Sequence, residues 1–448
     1  MTNQMKFIYQ CTLVAAIGGL LFGYDTAVVA GAIGFIQEKY QLSAAMTGWA
    51  ASCALIGCMI GAMVAGGLSD KLGRRKVLMI SAWAFAISSV GIMAPMGLTS
   101  FIVFRMIGGI GIGIASILSP MYISEIAPAS IRGRLISIYQ LGIVIGILLI
   151  YFVNAAIAGL HDHSWNVESG WRWMFGSGLL PSIVFIVLLL RAPESPRWLA
   201  AQNNWTGAED ILRKINGDIK AREEMEAIRV SLNEKQASFG ELLRPGLRTA
   251  LIIGIFLSVF SQVTGINVIM YYAPEIFKAT GDGSSSALTQ TVWVGGINTL
   301  MTLVAIKYVD KLGRKKLLLI GAAGMAICLA LVGLAFYQQA TTGYWVLTGI
   351  LLYISFFAIS LGPLTFVVVA EIFPNQIRGR AMGVAIFFLW LSVYIVSQTF
   401  PMLLDAIGTA YTFWIYMVMS VLAFLFIWRS VPETKGKSLE EIQKMWKA

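Results

Sequence analysis

The chain has 448 residues, of which 57% are hydrophobic and only 12% charged, with a net charge of +10 and a mean hydropathy of +0.75. Soluble domains carry about 25% charged residues, so this composition excludes an ordinary soluble domain and points to a lipid bilayer. The positive excess is scattered through short loops and gathers on no single face, which excludes a nucleic-acid-binding domain and leaves no nucleic-acid partner expected.

An apolar run of about 20 residues crosses a bilayer as a helix, because the backbone there must satisfy its own polar groups. About twelve such runs follow one another, near 8–34, 46–68, 76–96, 100–124, 133–158, 173–191, 248–277, 288–308, 316–337, 346–370, 381–404 and 410–430. The first continues past Asp25, which predicts a retained span and not a cleaved leader. Loops at 71–76, 132–134, 307–316 and 378–380 are rich in Lys and Arg, whereas those near 37–45, 159–170, 278–287 and 405–409 are not. This alternation predicts a multi-pass membrane protein with both termini cytoplasmic, and the expected location is the cell (inner) membrane. Cys11, Cys53, Cys58 and Cys328 all fall inside apolar runs and read as small buried hydrophobes, not as a disulfide framework. His161 and His163 stand in an outer loop and read as solvated residues; no metal and no cofactor is expected.

Between the sixth and seventh runs the chain turns charge-rich, and 208–213 and 221–234 read as amphipathic helices. Near the end, Ser438 and Glu441 form a capping-box pattern that predicts a tail helix. Around this linker the sequence repeats itself. Asp70-Lys71-Leu72-Gly73-Arg74-Arg75 returns as Asp310-Lys311-Leu312-Gly313-Arg314-Lys315. Ser124-Glu125-Ile126-Ala127-Pro128 with Ile131-Arg132-Gly133-Arg134 returns as Ala370-Glu371-Ile372-Phe373-Pro374 with Ile377-Arg378-Gly379-Arg380. Pro193-Glu194-Ser195 after the sixth run is echoed by Pro432-Glu433-Thr434 after the twelfth. The expected fold is therefore an all-α membrane protein of about 12 transmembrane helices in two pseudo-symmetric six-helix bundles. Its divisions are an N-terminal bundle over 1–192, a cytoplasmic linker with short helices over 193–247, a C-terminal bundle over 248–430 and a cytoplasmic tail helix over 431–448.

These motifs, with Gly66-Gly67-Leu68-Ser69 before Asp70, Gly23-Tyr24-Asp25-Thr26, Gly265-Ile266-Asn267, Tyr271-Tyr272-Ala273-Pro274 and Lys435-Gly436, resemble the sugar porter family of the major facilitator superfamily. The resemblance covers essentially the whole chain, and within the family it is nearest to bacterial xylose–proton and hexose–proton symporters. It implies a central sugar site, alternating access and an interrupted seventh helix. It also implies a conformational latch at the inner ends of the spans, drawn from Asp70, Arg74, Glu125, Arg132 and Glu194 in the first half and Asp310, Arg314, Glu371, Arg378 and Glu433 in the second.

Asp25 and Arg105 lie within spans, where an ionisable residue is expensive and a functional role is the default reading. An acid beside a movable cation can be loaded with a proton and stripped of it, and the resemblance gives Asp25 this coupling role. In the xylose symporter a Glu in the sixth span joins the pair; here the matching residue is Gly178. A sugar needs amides, which both donate and accept, and aromatic faces. Gln140, Gln262, Asn267 and Asn298 are the amide candidates, Ser261 adjoins Gln262, and Phe22, Tyr271, Phe366 and Trp390 are candidate stacking surfaces. Gln262 and Asn267 stand about 140° apart on a regular helix, so they can serve one ligand only if the helix breaks, and Gly265 between them permits that. Ser261, Ile147, Phe366, Leu389 and Val393 replace more polar or larger residues of the xylose symporter pattern, which predicts an altered sugar preference. Ser392 lies close enough to Leu389 to reach the same region, whereas Gln398 faces the other way.

No Gly-rich phosphate loop, metal-ligand cluster or nucleophile–base arrangement is present in the sequence, so an enzyme is not expected. The sequence reads as a monomeric secondary active transporter in the lipid bilayer that imports a monosaccharide together with a proton. An uncoupled sugar facilitator and a non-transporting sugar sensor are the alternatives.

Overall fold

A computed structural model describes residues 3–94, 97–128, 131–233, 239–244, 247–281, 283–341, 344–373 and 375–435. Ser438, Glu441 and most of the expected tail helix lie outside the described residues, as do the side chains of Arg132, Asp310 and Arg378.

The described residues form helices and connecting turns without a strand. In chain order the elements are α1 (Asn3–Tyr40), α2 (Ala44–Leu72), α3 (Arg74–Met93), α4 (Leu98–Ile126), α5 (Arg132–Ala158), α6 (Trp171–Gly176) and α7 (Leu179–Arg191). The linker holds α8 (Pro196–Ala201), α9 (Trp205–Asn216) and α10 (Asp218–Asn233). There follow α11 (Leu247–Val263), α12 (Ile266–Lys278), α13 (Ser284–Leu312), α14 (Arg314–Tyr337), α15 (Trp345–Ala358), α16 (Leu361–Ile372) and α17 (Asn375–Ser430).

Among the described residues, ten helical stretches are long and apolar enough to cross a membrane. The difference from the expected twelve has two sources. The last two runs are joined in α17, which loses helical geometry only at Gly408, at φ 78° and ψ 169°. The eighth run is α13, which spans 29 residues but is not among the ten.

Two runs expected to be continuous are broken, and proline accounts for both. A proline removes one backbone N–H and crowds the carbonyl four residues earlier. Pro181 disturbs Ser177 in this way, at the junction of α6 and α7, and Pro363 disturbs Ile359, at the junction of α15 and α16. The linker helices start as the sequence dictates: the Ser195 hydroxyl accepts from the Trp198 N–H at 3.2 Å, and the Asn204 side chain from the Gly207 N–H at 3.0 Å. All four cysteines are buried, and none is in a disulfide. His163 Nε2 lies 2.8 Å from a Glu38 carboxylate oxygen, in an exposed pair.

The chain divides into two compact units. The first comprises Met1–Thr26, Ile56–Ile147 and Phe175–Gln236; the second comprises Ala27–Leu55, Leu148–Met174 and Ala237–Ala448. In the first, α3 packs on α4 and α7; in the second, α14 packs on α15 and α17. The second unit thus includes the ends of α1, α2 and α5 nearest the expected outer loops, and polar contacts hold them there. The Tyr151 hydroxyl donates to the Met270 carbonyl at 2.6 Å. Gln398 Nε2 donates to the Ala45 carbonyl at 2.9 Å, while its Oε1 accepts from the Ser52 hydroxyl at 3.0 Å. Gln398 therefore does turn away from the Leu389 face, and α2 is what it turns toward.

Candidate functional site

The first unit holds the intramembrane charges. Asp25 sits in the middle of α1, and α4 brings Arg105 to it. Arg105 Nη1 donates to Asp25 Oδ2 at 3.0 Å and to the Asp25 carbonyl at 3.3 Å. The two side chains are 2% and 13% exposed, so their attraction acts in a low dielectric and either charge left alone would be costly. The guanidinium also lies over the Phe175 ring, 5.0 Å from its centroid. Phe175 in turn meets Phe101 edge-on, with centroids 5.4 Å apart. A desolvated cation–π contact of this kind contributes about 2 kcal/mol. The sequence reading missed Phe175, because it is one of several aromatics in Trp171-Arg172-Trp173-Met174-Phe175 and no spacing sets it apart.

Further polar groups lie on the neighbouring residues of α1, α3 and the junction of α6 and α7. The Tyr24 hydroxyl and Ser177 Oγ are 2.7 Å apart. A Cβ on Gly178 would meet Ser89 Oγ at 2.9 Å and the Phe175 carbonyl at 3.2 Å. The glycine that replaces the expected third acid therefore lies against Ser89, and a longer side chain at that point requires its neighbours to shift.

The second unit holds the amide cluster. The seventh run is interrupted as expected, with α11 ending at Val263 and α12 starting at Ile266. Gly265 takes φ 96°, a backbone conformation costly for any residue with a Cβ. The Thr264 carbonyl left free at the break accepts from the Tyr353 hydroxyl at 2.9 Å, which satisfies a group that lipid could not. Across this break Asn267 Nδ2 donates to Gln262 Oε1 at 2.5 Å, and Gln262 Nε2 donates to Ser261 Oγ at 2.9 Å. Ser261, Gln262 and Asn267 are thus gathered into one chain of hydrogen bonds. Asn298 on α13, Tyr271 on α12 and Trp390 on α17 are buried in the same unit, as are Leu389, Ser392 and Val393. Phe366 on α16 is 41% exposed. Gln140 on α5 and Phe22 on α1 belong to the first unit and are half-buried. A groove of about 670 Å³ lined by Ile407, Tyr411, Trp414, Ile415, Val418 and Met419 contains none of these candidates, and its lining is mostly apolar.

The repeated charge motifs form a network in each unit. In the first, Arg74 forks onto Glu125: Nε donates to Oε2 at 3.0 Å and Nη2 to Oε1 at 3.1 Å. Its Nη1 donates to Asp70 Oδ1 at 3.1 Å and to the Ser69 carbonyl at 3.0 Å. Glu194 Oε1 accepts the backbone N–H of Arg74 at 2.8 Å and of Arg75 at 3.1 Å. In the second, Arg314 Nη2 donates to Glu371 Oε1 at 3.2 Å. Glu433 accepts the N–H groups of Arg314 and Lys315 at 3.0 and 3.1 Å. Each glutamate of the Pro-Glu motifs therefore caps the first turn of a helix in its own unit, where unpaired N–H groups and the helix dipole favour an anion. Burial pushes the Glu433 carboxyl up, but the N–H groups of Lys435, Arg314, Lys315 and Thr434 outweigh it and hold the group below the ordinary range.

The family model described as "Sugar (and other) transporter" matches residues 11–446. The arabinose-proton symporter of Bacillus subtilis (strain 168) is 46% identical over 446 residues, covering 99% of this chain and 96% of that protein. The D-xylose-proton symporter of Escherichia coli (strain K12) is 46% identical over 473 residues, with coverages of 98% and 96%. An inward open structure of the xylose transporter XylE from E. coli superposes with a TM-score of 0.87 at 44% identity, covering 98% of this chain and all (100%) of the other. The proton:xylose symporter XylE bound to 6-bromo-6-deoxy-D-glucose gives 0.84 at 44% identity, with coverages of 99% and 100%. The chain belongs to the sugar (and other) transporter family, as a sugar porter of the major facilitator superfamily.

Proposed function

We propose that this protein is a secondary active transporter that imports a monosaccharide together with a proton by alternating access. The observation that carries this reading is the Arg105–Asp25 pair, 3.0 Å apart and buried within apolar helices. A buried ion pair contributes little to stability compared with well-packed apolar residues, so a pair kept inside two spans calls for a role, and an acid whose cation partner can withdraw is a proton carrier. The relatives named as sugar–proton symporters support the same activity.

The division of work follows the chemistry of the two units. Asp25 takes and releases the proton, and Arg105 sets when it does so. Gln262, Asn267 and Asn298 supply donor and acceptor groups to sugar hydroxyls, with Ser261 orienting Gln262, and Gln140 is the amide of the first half. Phe22, Tyr271, Phe366 and Trp390 offer apolar surface to the sugar ring. The charge networks act as the conformational latch at the cytoplasmic ends of the spans. The protein works as a monomer in the cell inner membrane, and the alternation of basic loops supports placing both termini in the cytoplasm.

The test is Asp25→Asn in proteoliposomes carrying an imposed pH gradient. Uphill accumulation of sugar is expected to vanish while sugar exchange at equal concentrations persists. Uphill uptake that survives the substitution would sink the proton role.

A further inference from the structure

Beside the Arg105–Asp25 pair stands a hydroxyl that the mechanism above does not use. Ser88 on α3 is 1% exposed, and its Oγ has no hydrogen-bond partner. A serine inside a helix ordinarily returns its hydroxyl to the carbonyl four residues earlier, and a buried polar atom left unpaired costs about 1–3 kcal/mol. Its surroundings explain the exception. A Cβ placed on Gly108 would meet Ser88 Oγ at 2.7 Å, Ser88 Cβ at 3.1 Å and Asp25 Oδ2 at 3.4 Å. The hydroxyl and the carboxylate therefore border the same narrow space beside Gly108, too tight for a methyl group and open only because residue 108 is glycine.

We propose that Ser88 is the second partner of Asp25, accepting the hydrogen bond of its protonated carboxyl across the gap at Gly108 once Arg105 has withdrawn. The inference rests on the proton role proposed for Asp25. A neutral carboxyl has one O–H to donate, and inside a membrane helix that donor must find an acceptor in the protein. In the ion-paired state Asp25 Oδ2 is engaged by Arg105 and the Ser88 hydroxyl stands idle. In the protonated state the roles exchange: the cation is no longer required and the hydroxyl is. Arg105, which engages the carboxylate in the ion-paired state, is a cation that cannot accept, and the nearby hydroxyls of Tyr24 and Ser177 already share a hydrogen bond. Ser88 is thus a positioning residue for the proton-bearing state.

The measurement is the pH midpoint of gradient-driven sugar uptake in proteoliposomes, which does not depend on how much protein is active. Ser88→Ala removes the acceptor and is expected to weaken proton loading about tenfold, moving the midpoint about one pH unit toward acid. Ser88→Thr keeps the hydroxyl and is expected to restore the wild-type midpoint. Gly108→Ala fills the gap and is expected to shift the midpoint in the same direction as Ser88→Ala without altering Ser88. A Ser88→Ala midpoint at the wild-type position would overturn the inference while leaving the proton role intact, and a shift toward alkaline pH would overturn it by showing that Ser88 donates to the carboxylate. Wild-type uptake that shows no pH midpoint would remove the proton role and this inference together.

Discussion

The two copies of the Asp-Lys-Leu-Gly-Arg motif share a backbone and differ in their side chains. In both, a glycine with positive φ (95° at Gly73 and 90° at Gly313) ends one helix and starts the next, and a glutamate from beyond the last span of that half caps the new helix. The arginine–glutamate pairs differ in geometry. Arg74 forks onto Glu125 through Nε and Nη2, whereas Arg314 meets Glu371 through Nη2 at 3.2 Å. The second oxygen of Glu371 accepts from the Thr434 hydroxyl at 2.5 Å, while Ser195, the matching residue in the first half, spends its hydroxyl on the first turn of α8. Glu125 is 8% exposed and Glu371 28%. A backbone device has thus stayed the same in both halves, and the side-chain device above it has been free to change.

The sharpest way to break this comparison is to remove the arginines. Arg74→Ala strands a buried carboxylate, which costs about 3 kcal/mol, near the lower end of the range for breaking a buried pair. Arg314→Ala leaves Glu371 with Thr434 and partial solvent, and the expected loss is about 1 kcal/mol. Thermal unfolding of the detergent-solubilised protein, followed by tryptophan fluorescence, reads both. Adding Glu125→Gln to Arg74→Ala is expected to recover part of the loss, because it removes the stranded charge. Equal losses at the two arginines would mean that the difference in geometry has no energetic consequence.

A smaller effect sharpens what the two copies share. At Gly73 a Cβ would come within 2.4 Å of the Glu194 carboxylate, and at Gly313 within 2.9 Å of that of Glu433. Alanine therefore meets both an unfavourable φ and the capping anion. We expect Gly73→Ala to cost about 2 kcal/mol and Gly313→Ala about 1 kcal/mol, each lowering the melting temperature. If alanine is harmless at both positions, the cap is not what holds these glycines in place.

The features legible in the sequence are those that follow from one residue's chemistry or from a repeat. Apolar runs identified the helices because lipid leaves the backbone no other solution, and the paired motifs revealed the duplicated order of spans. Gly265 marked the break that brings Gln262 and Asn267 together, because only a lost helical turn can align residues five apart. The breaks near Ser177 and Ile359 were missed, although Pro181 and Pro363 signal them, because each falls inside a long apolar run that reads as one span. Phe175 and Ser88 could not be singled out. Their importance comes from where α6 and α3 are packed relative to Asp25, and no local pattern in the chain encodes that. The capping role of Glu194 and Glu433 was hidden for the same reason: a charged residue in a Pro-Glu motif reads as an ion-pair partner until the helix terminus it faces is known.

The smallest expected effect concerns that cap and its response to acid. Burial raises the Glu433 carboxyl, but the N–H groups of Lys435, Arg314, Lys315 and Thr434 bring it to a net value below the ordinary 4.5. A depressed folded-state value means that the ionised group stabilises the fold above the ordinary value and that this contribution fades as pH falls through the folded-state value. Glu433→Gln keeps one acceptor oxygen but removes the charge, so it is expected to lower stability by about 0.5 kcal/mol at neutral pH, within the range for an anion at a helix N-terminus. The gap in melting temperature between wild type and Glu433→Gln should hold steady from pH 7 down to about 5 and then narrow below 4.5, as protonation removes the same charge from the wild type. A gap that stays constant through that window would mean that the carboxylate contributes as a hydrogen-bond acceptor and not as an anion at the helix terminus, so that the feature preserved in both halves is one of geometry rather than of charge.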